Sequence, residues 1–179
     1  MTPRRVLITG GMRSGKSRFA EGLLVNQPHV TYIAPGPLPD PATDSEWANR
    51  IAAHRERRPT SWTTLETTDV ADALRTAAPP FLIDCLGIWL TATVDRLGTW
   101  DQPLAAWRQR ISPQIDDLVV GWRMCSGPAV AVTNEVGWGL VSEHRSGRVF
   151  TDLLGQLNAR FADASDEVYL VVAGRALRL

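Results

Sequence analysis

Short apolar runs recur along the chain at Arg4–Thr9, Val30–Ala34, Phe81–Cys85, Ala129–Thr133 and Val168–Ala173, each bounded by Pro, Gly, Asn or Asp. Their length and flanks predict β-strands. Between them, stretches of helical pattern predict helices over Lys16–Val25, Asp44–Arg58, Val70–Ala77, Leu86–Leu97, Leu104–Met124 and Gly147–Ala162. Trp62–Glu66 reads as a short additional strand. Strands alternating with helices predict an α/β fold: a mostly parallel sheet with helices on both faces. One stretch breaks the pattern. Pro35-Gly36-Pro37-Leu38-Pro39-Asp40-Pro41 has a proline at every second position, which excludes helix and interior strand. It reads as a stiff surface connection, and it follows the second strand, at the edge where open α/β sheets bind ligands.

Composition narrows the class. The 179 residues fit one domain over 1–179, and 44% apolar with 21% charged is a globular balance rather than a disordered one. Nineteen basic residues cancel nineteen acidic ones, which argues against a protein held on nucleic acid by a general positive field. Cys85 and Cys125 have neither metal-ligand spacing nor a disulfide framework, and read as two reduced core thiols. The apolar run after the basic N-terminus is only Val6-Leu7-Ile8, far short of a signal peptide or membrane span. A cytoplasmic protein is expected.

The chemistry begins where the first strand ends. Gly10-Gly11-Met12-Arg13-Ser14-Gly15-Lys16-Ser17 satisfies G-x-x-x-x-G-K-[ST] between a predicted strand and a predicted helix. Gly10 and Gly15 let the backbone wrap a phosphate, and successive N–H groups point inward with a helix N-terminus behind them. Lys16 can reach the β- and γ-phosphates, and the Ser17 hydroxyl can hold Mg2+. Lys16 is also the only lysine; the other basic residues are eighteen arginines. A switch GTPase reads guanine with N-K-x-D, and this chain has no second lysine to supply it. Asp152-Leu153-Leu154-Gly155 mimics a D-x-x-G switch element but falls inside a predicted helix. Asp84, closing Phe81-Leu82-Ile83, reads either as a Walker B acid in the Mg2+ shell or as a plain strand-end acid.

A second constellation is Arg50-Ile51-Ala52-Ala53-His54-Arg55-Glu56-Arg57-Arg58. On a helix, Arg50, His54 and Arg57 or Arg58 share one face. Such a face either binds a phosphate-rich ligand, with neighbouring cations keeping the imidazole neutral and nucleophilic, or is a solvated basic surface with an incidental histidine. His29 and His144 lack comparable surroundings. Thr133-Asn134-Glu135-Val136-Gly137-Trp138-Gly139 follows a strand, so Asn134 and Glu135 are candidates for organising substrate or metal, with the glycines giving the loop freedom.

Taken together, LITGGMRSGKSRFAE, RIAAHRERRPTSW, FLIDCLGIWLT, VTNEVGWGLVSEHRSGRVFTDLLGQLN and DEVYLVVAG resemble the bifunctional adenosylcobinamide kinase / adenosylcobinamide-phosphate guanylyltransferase family of cobalamin biosynthesis. The loop alone is common to many ATPases. Its combination with R-I-x-x-H-[KR] and V-T-N-E-V-G-x-G is much more specific, and the likeness spans nearly the whole chain. It implies a RecA-like P-loop NTPase fold, a homotrimer and two reactions. The hydroxyl of the aminopropanol arm of adenosylcobinamide takes a γ-phosphoryl group from ATP or GTP. GTP then guanylylates a histidine, and the GMP passes to the cobinamide phosphate to give adenosylcobinamide-GDP.

By motif position the guanylylated residue is His54. The resemblance also implies nucleotide contacts at Gly10–Ser17, at Ile33, Ala34 and Pro35, at Arg55, Glu56, Arg57 and Arg58, at Glu66 and at Asp84. Guanine's N1–H and N2–H2 donors suit the Glu66 carboxylate, which would then discriminate GTP from ATP. Three departures stand out: Ala53 precedes His54 where some members carry a second histidine, Ser142 stands where a proline is common, and Pro35–Pro41 is richer in proline than usual. The rivals are a plain small-molecule P-loop kinase without a covalent intermediate, and a nucleotide-dependent module for protein or DNA, against which the balanced charge counts.

Overall fold

A computed structural model describes residues 4–36, 49, 52, 55–98, 100 and 102–179. In chain order the elements are β1 (Arg5–Thr9), α1 (Lys16–Leu24), β2 (Thr31–Ala34), β3 (Thr63–Glu66), α2 (Val70–Thr76), β4 (Phe81–Asp84), α3 (Leu86–Leu97), α4 (Leu104–Met124), β5 (Ala129–Val132), α5 (Arg145–Asp163), β6 (Glu167–Val172) and β7 (Arg175–Arg178). The strands form one sheet in the order β3-β2-β4-β5-β1-β6-β7, parallel except for β7.

Alternation along the strands assigns side chains to two cores. Val6 and Ile8 of β1, Leu82 of β4, and Val130 and Val132 of β5 face α1 through Ala20 and Leu24. Their neighbours Leu7, Phe81, Ile83, Ala129 and Ala131 face the larger core built by α2 to α5. Period-2 strands buried on both faces explain why these runs are almost purely apolar. On α5, Val149, Leu153, Leu157 and Phe161 repeat at four-residue intervals and are all buried, each contributing about 1.5–3 kcal/mol of transfer free energy. Local chemistry sets the ends. The Asp69 carboxylate caps α2 by accepting from the Asp72 N–H at 3.2 Å, and Gly98 closes α3 in the left-handed region.

The expected strands and helices are present with ends shifted by a residue or two. Two exceptions bear on the site. The expected Asp44–Arg58 helix lies mostly outside the described residues; residues 49, 52, 55 and 56 are helical, but Arg57 and Arg58 have already left the helix for a turn. And β7 is a strand the apolar runs do not announce: it doubles back on β6 through Ala173 and Gly174, both at positive φ (50° and 77°), the conformation of a tight two-residue hairpin turn.

Candidate functional site

β1 delivers the chain to the carboxyl edge of the sheet, and the loop 10–17 carries it to α1. Gly10 has no room for a side chain: a Cβ there would stand 2.5 Å from the Val171 carbonyl oxygen and 2.8 Å from Ser14 Oγ. Gly15 has φ +95°, which selects glycine. It also lets the β6–β7 turn come close, since a Cβ would lie 3.2 Å from Gly174 Cα. The Gly174 N–H donates to the Ser14 carbonyl at 2.8 Å, and the Ser14 N–H to the Gly11 carbonyl at 3.3 Å. The hairpin turn thus braces the loop from behind. Among the described residues no side chain caps the N-terminus of α1, which leaves its first N–H groups to an anion. Lys16 Nζ donates to the Gly11 carbonyl at 3.3 Å, folded over the loop that a phosphate would fill.

The strand register sets the other residues in a row along the same edge. Ala34 pairs with Glu66, Ile33 with Ile83, and Asp84 with Val132, which in turn aligns with Ile8 at the root of the loop. Four strand spacings, roughly 19 Å, separate β3 from β1, comparable with an extended nucleoside triphosphate. Ile33 is fully buried, so only its backbone faces the edge, and the Ala34 carbonyl accepts from the Thr67 N–H at 3.1 Å.

Asp84 accepts a hydrogen bond from Tyr32 Oη at 3.2 Å. Burial, reinforced by the Asp84 charge, pushes the Tyr32 phenol far above its ordinary pKa, so it stays protonated and donates. The Arg58 guanidinium stacks 3.7 Å over the Tyr32 ring and donates to Thr64 Oγ1 at 3.2 Å. Burial lowers the Arg58 pKa, from so high a value that the guanidinium remains charged at neutral pH.

The other described arginines of this segment are tied down by acids. Arg57 pairs with Glu21 on α1 at 3.2 Å, and Arg55 pairs with Glu66 at the end of β3. Glu56 is exposed. The basic segment therefore bridges β3 and the helix that follows the phosphate loop. Arg50 and His54 lie outside the described residues, as do Pro37, Pro39 and Pro41.

The turn after β5 joins the loop from the other side. The Glu135 N–H donates to the Gly10 carbonyl at 3.1 Å, and Thr9 Oγ1 to Glu135 Oε2 at 3.4 Å. Asn158 on α5 holds this turn twice, accepting from Thr133 Oγ1 at 2.6 Å and donating to the Asn134 carbonyl at 3.0 Å. Ser142 is pinned as well, because Arg148 donates to its carbonyl at 2.8 Å.

Among the described residues, no group of three or more His, Cys, Asp or Glu side chains is placed to hold a metal ion. Ser17 and Asp84 on the phosphate-facing edge are instead the sparse donor set that suits Mg2+, which takes its remaining ligands from substrate phosphates and water. Tyr32, Glu21, Asn158 and the β6–β7 turn are the parts of this site that the sequence does not announce.

The model of the family described as cobinamide kinase / cobinamide phosphate guanyltransferase matches residues 6–179. The bifunctional adenosylcobalamin biosynthesis protein CobU of Salmonella typhimurium is 40% identical over 97% of this chain and 98% of its own length. Its Escherichia coli namesake is 37% identical over 97% and 98%, and the bifunctional adenosylcobalamin biosynthesis protein CobP of Pseudomonas aeruginosa is 37% identical over 98% and 96%. In fold, the chain resembles a prototypical ATPase from the type III secretion system of pathogenic bacteria, with a TM-score of 0.58 at 11% identity. That likeness covers 98% of this chain and 56% of the ATPase, and shows a RecA-like P-loop fold. The chain belongs to the cobinamide kinase / cobinamide phosphate guanyltransferase family.

Proposed function

We propose that this chain, acting as one cytoplasmic domain assembled into a homotrimer, phosphorylates adenosylcobinamide and then guanylylates the product. The observation that carries the proposal is the convergence, on one sheet edge, of an intact phosphate loop with the arginine segment that follows His54. In the first reaction the hydroxyl oxygen of the aminopropanol arm attacks the γ-phosphorus of ATP or GTP, and the bond to the β-phosphate oxygen breaks. Lys16 and the loop N–H groups take up charge on the transferring and leaving phosphates. Mg2+, held by Ser17 and Asp84, would supply further neutralisation of the phosphate oxygens when bound. The Tyr32 hydroxyl holds the Asp84 carboxylate in place by donating to it.

In the second reaction an imidazole nitrogen of His54 attacks the α-phosphorus of GTP, and pyrophosphate leaves. A phosphate oxygen of the cobinamide phosphate then attacks the same phosphorus, breaking the P–N bond and forming the GDP linkage. Support for His54 is its motif position and the anchoring of the residues that follow it: Arg55 to Glu66, Arg57 to Glu21. Support for Glu66 as the guanine reader is its place about one nucleotide's length along the edge from the loop. Arg55 engages one of its oxygens, so guanine would share or displace that partner. Free, buried Cys85 and Cys125 suit a reducing compartment, and among the described residues no helix is long and apolar enough to cross a membrane.

Incubation of the purified protein with adenosylcobinamide, GTP and Mg2+, followed by mass analysis, tests the activity. Adenosylcobinamide phosphate should appear first and adenosylcobinamide-GDP after it. A phosphorylated product that never proceeds to the GDP form would instead mark a plain kinase.

A further inference from the structure

The helix after Asp84 has a second face, on which only Ile88 packs against a core. Leu86, Trp89, Leu90 and Val94 of α3 point inward and are buried. Ile88, Thr91, Ala92 and Asp95, at i, i+3, i+4 and i+7, form a second stripe, which lines a groove of about 340 Å3 together with Cys85, Asn134 and Phe150. Its inner end is on the site edge. Cys85 directly follows Asp84, and Asn134 belongs to the turn whose next residue, Glu135, holds the Gly10 carbonyl. Ile88 also meets the chain after β2, since a Cβ on Gly36 would stand 2.7 Å from its Cγ2. Lys16 is close enough to oppose the rise in the Cys85 thiol pKa, which burial and Asp84 push up to about 11. The groove straddles the carboxyl edge: Cys85 and Ile88 pack with the α1-side core and Phe150 with the core built by α2 to α5.

The lining selects its ligand. Among the described residues no lysine or arginine lines it, which does not favour a second set of phosphates. The walls are apolar at Ile88, Ala92 and Phe150. The Asn134 side-chain amide has no hydrogen-bond partner among the described residues, and offers one donor group and one acceptor. Thr91 Oγ1 donates to the Gly87 carbonyl at 3.2 Å, leaving its lone pairs free to accept. These groups match a secondary amide and a hydroxyl. The volume lies near the lower limit for small-molecule sites, which is about 300 Å3, and is too small for a corrin macrocycle. Between Asn134 and Phe150 the chain also carries the exposed apolar side chains of Trp138, Leu140 and Val141.

We propose that this groove receives the amide-linked, hydroxyl-bearing arm of the corrinoid acceptor, presenting its hydroxyl over the sheet edge to the γ-phosphate while the macrocycle rests outside against the Trp138–Val141 loop. The assignment rests on the kinase reading above. Ala92→Trp fills the groove and should raise KM for adenosylcobinamide about tenfold or more, equivalent to about 1.4 kcal/mol, while KM for GTP and corrinoid-free labelling of the protein by α-labelled GTP stay unchanged. Asn134→Ala, which removes only the side-chain amide, should raise the same KM and preserves the test if the tryptophan variant fails to fold. Wild-type turnover with an unchanged corrinoid KM in Asn134→Ala and in a folded Ala92→Trp overturns the groove alone. A matching rise in KM for GTP assigns the groove to the nucleotide and also overturns it. A wild-type protein that binds GTP but never turns over adenosylcobinamide refutes the kinase reading, and the groove assignment with it.

Discussion

Lys16 is the only ammonium side chain in a protein with eighteen guanidinium groups, so no nearby lysine can take its place. A compact, flexible point charge suits a phosphate loop, where the ligand's oxygens move as the γ-group transfers. Lys16→Ala should lower kcat/KM of both reactions by at least about a hundredfold, the usual scale for losing one transition-state charge partner. Steady-state assays of each half-reaction check this, and an intact kinase rate would contradict a shared phosphate site. At this scale the sequence is legible where chemistry is local. The spacing of the loop's glycines is legible within eight residues, although the atoms that crowd Gly10 and Gly15 include Val171 and Gly174 from the far end of the chain. Partners remote in sequence are not legible: Tyr32 meets Asp84 across 52 residues, and Thr9 meets Glu135 across 126. The reverse also occurs, since the arginines around His54 suggest free cations, yet Arg55 and Arg57 have carboxylate partners.

Among the elements, the β6–β7 hairpin connects stability to the site most directly. Its turn residue Gly174 has φ +77° and donates to the Ser14 carbonyl. Gly174→Ala should cost about 1–2 kcal/mol for a left-handed non-glycine residue, or about 2–4 °C in Tm per kcal/mol for a chain this size. It should also raise KM for GTP by loosening the brace on the loop. Thermal melts with and without GTP check both effects; an unchanged KM beside a lowered Tm would separate the hairpin from nucleotide binding. β7 escapes a reading by apolar runs because all four of its residues are exposed and Ala173 is not an ordinary turn former. The buried strands and helices are legible to within a residue or two, since burial on both faces writes their apolar pattern directly. The expected Asp44–Arg58 helix rests on a different signal, charged positions at helical spacing; most of it lies outside the described residues, and its end comes two residues early because Arg57 and Arg58 continue the pattern into a turn.

At the scale of the whole molecule, strand–helix alternation establishes the fold class, but strand order depends on packing between distant segments. β5 separates the phosphate-loop strand from the Asp84 strand, and no local pattern states that insertion. Its consequence is to place Thr133, Asn134 and Glu135 between Asp84 and Gly10. Assembly lies beyond a single chain's pattern, and the proposed homotrimer rests on family likeness. Sedimentation equilibrium should give three times the chain mass, and a stable monomer with full activity would contradict it.

The most direct test of the covalent guanylyl route needs no corrinoid. The protein is incubated with α-labelled GTP and Mg2+, and the labelled peptide is mapped. One GMP per chain is expected on the peptide containing His54, through a bond labile in acid and stable in base. His54→Ala should take up no label and retain part of the kinase activity. A His54→Ala protein labelled as fully as the wild type, or a wild type that takes up none, would contradict it.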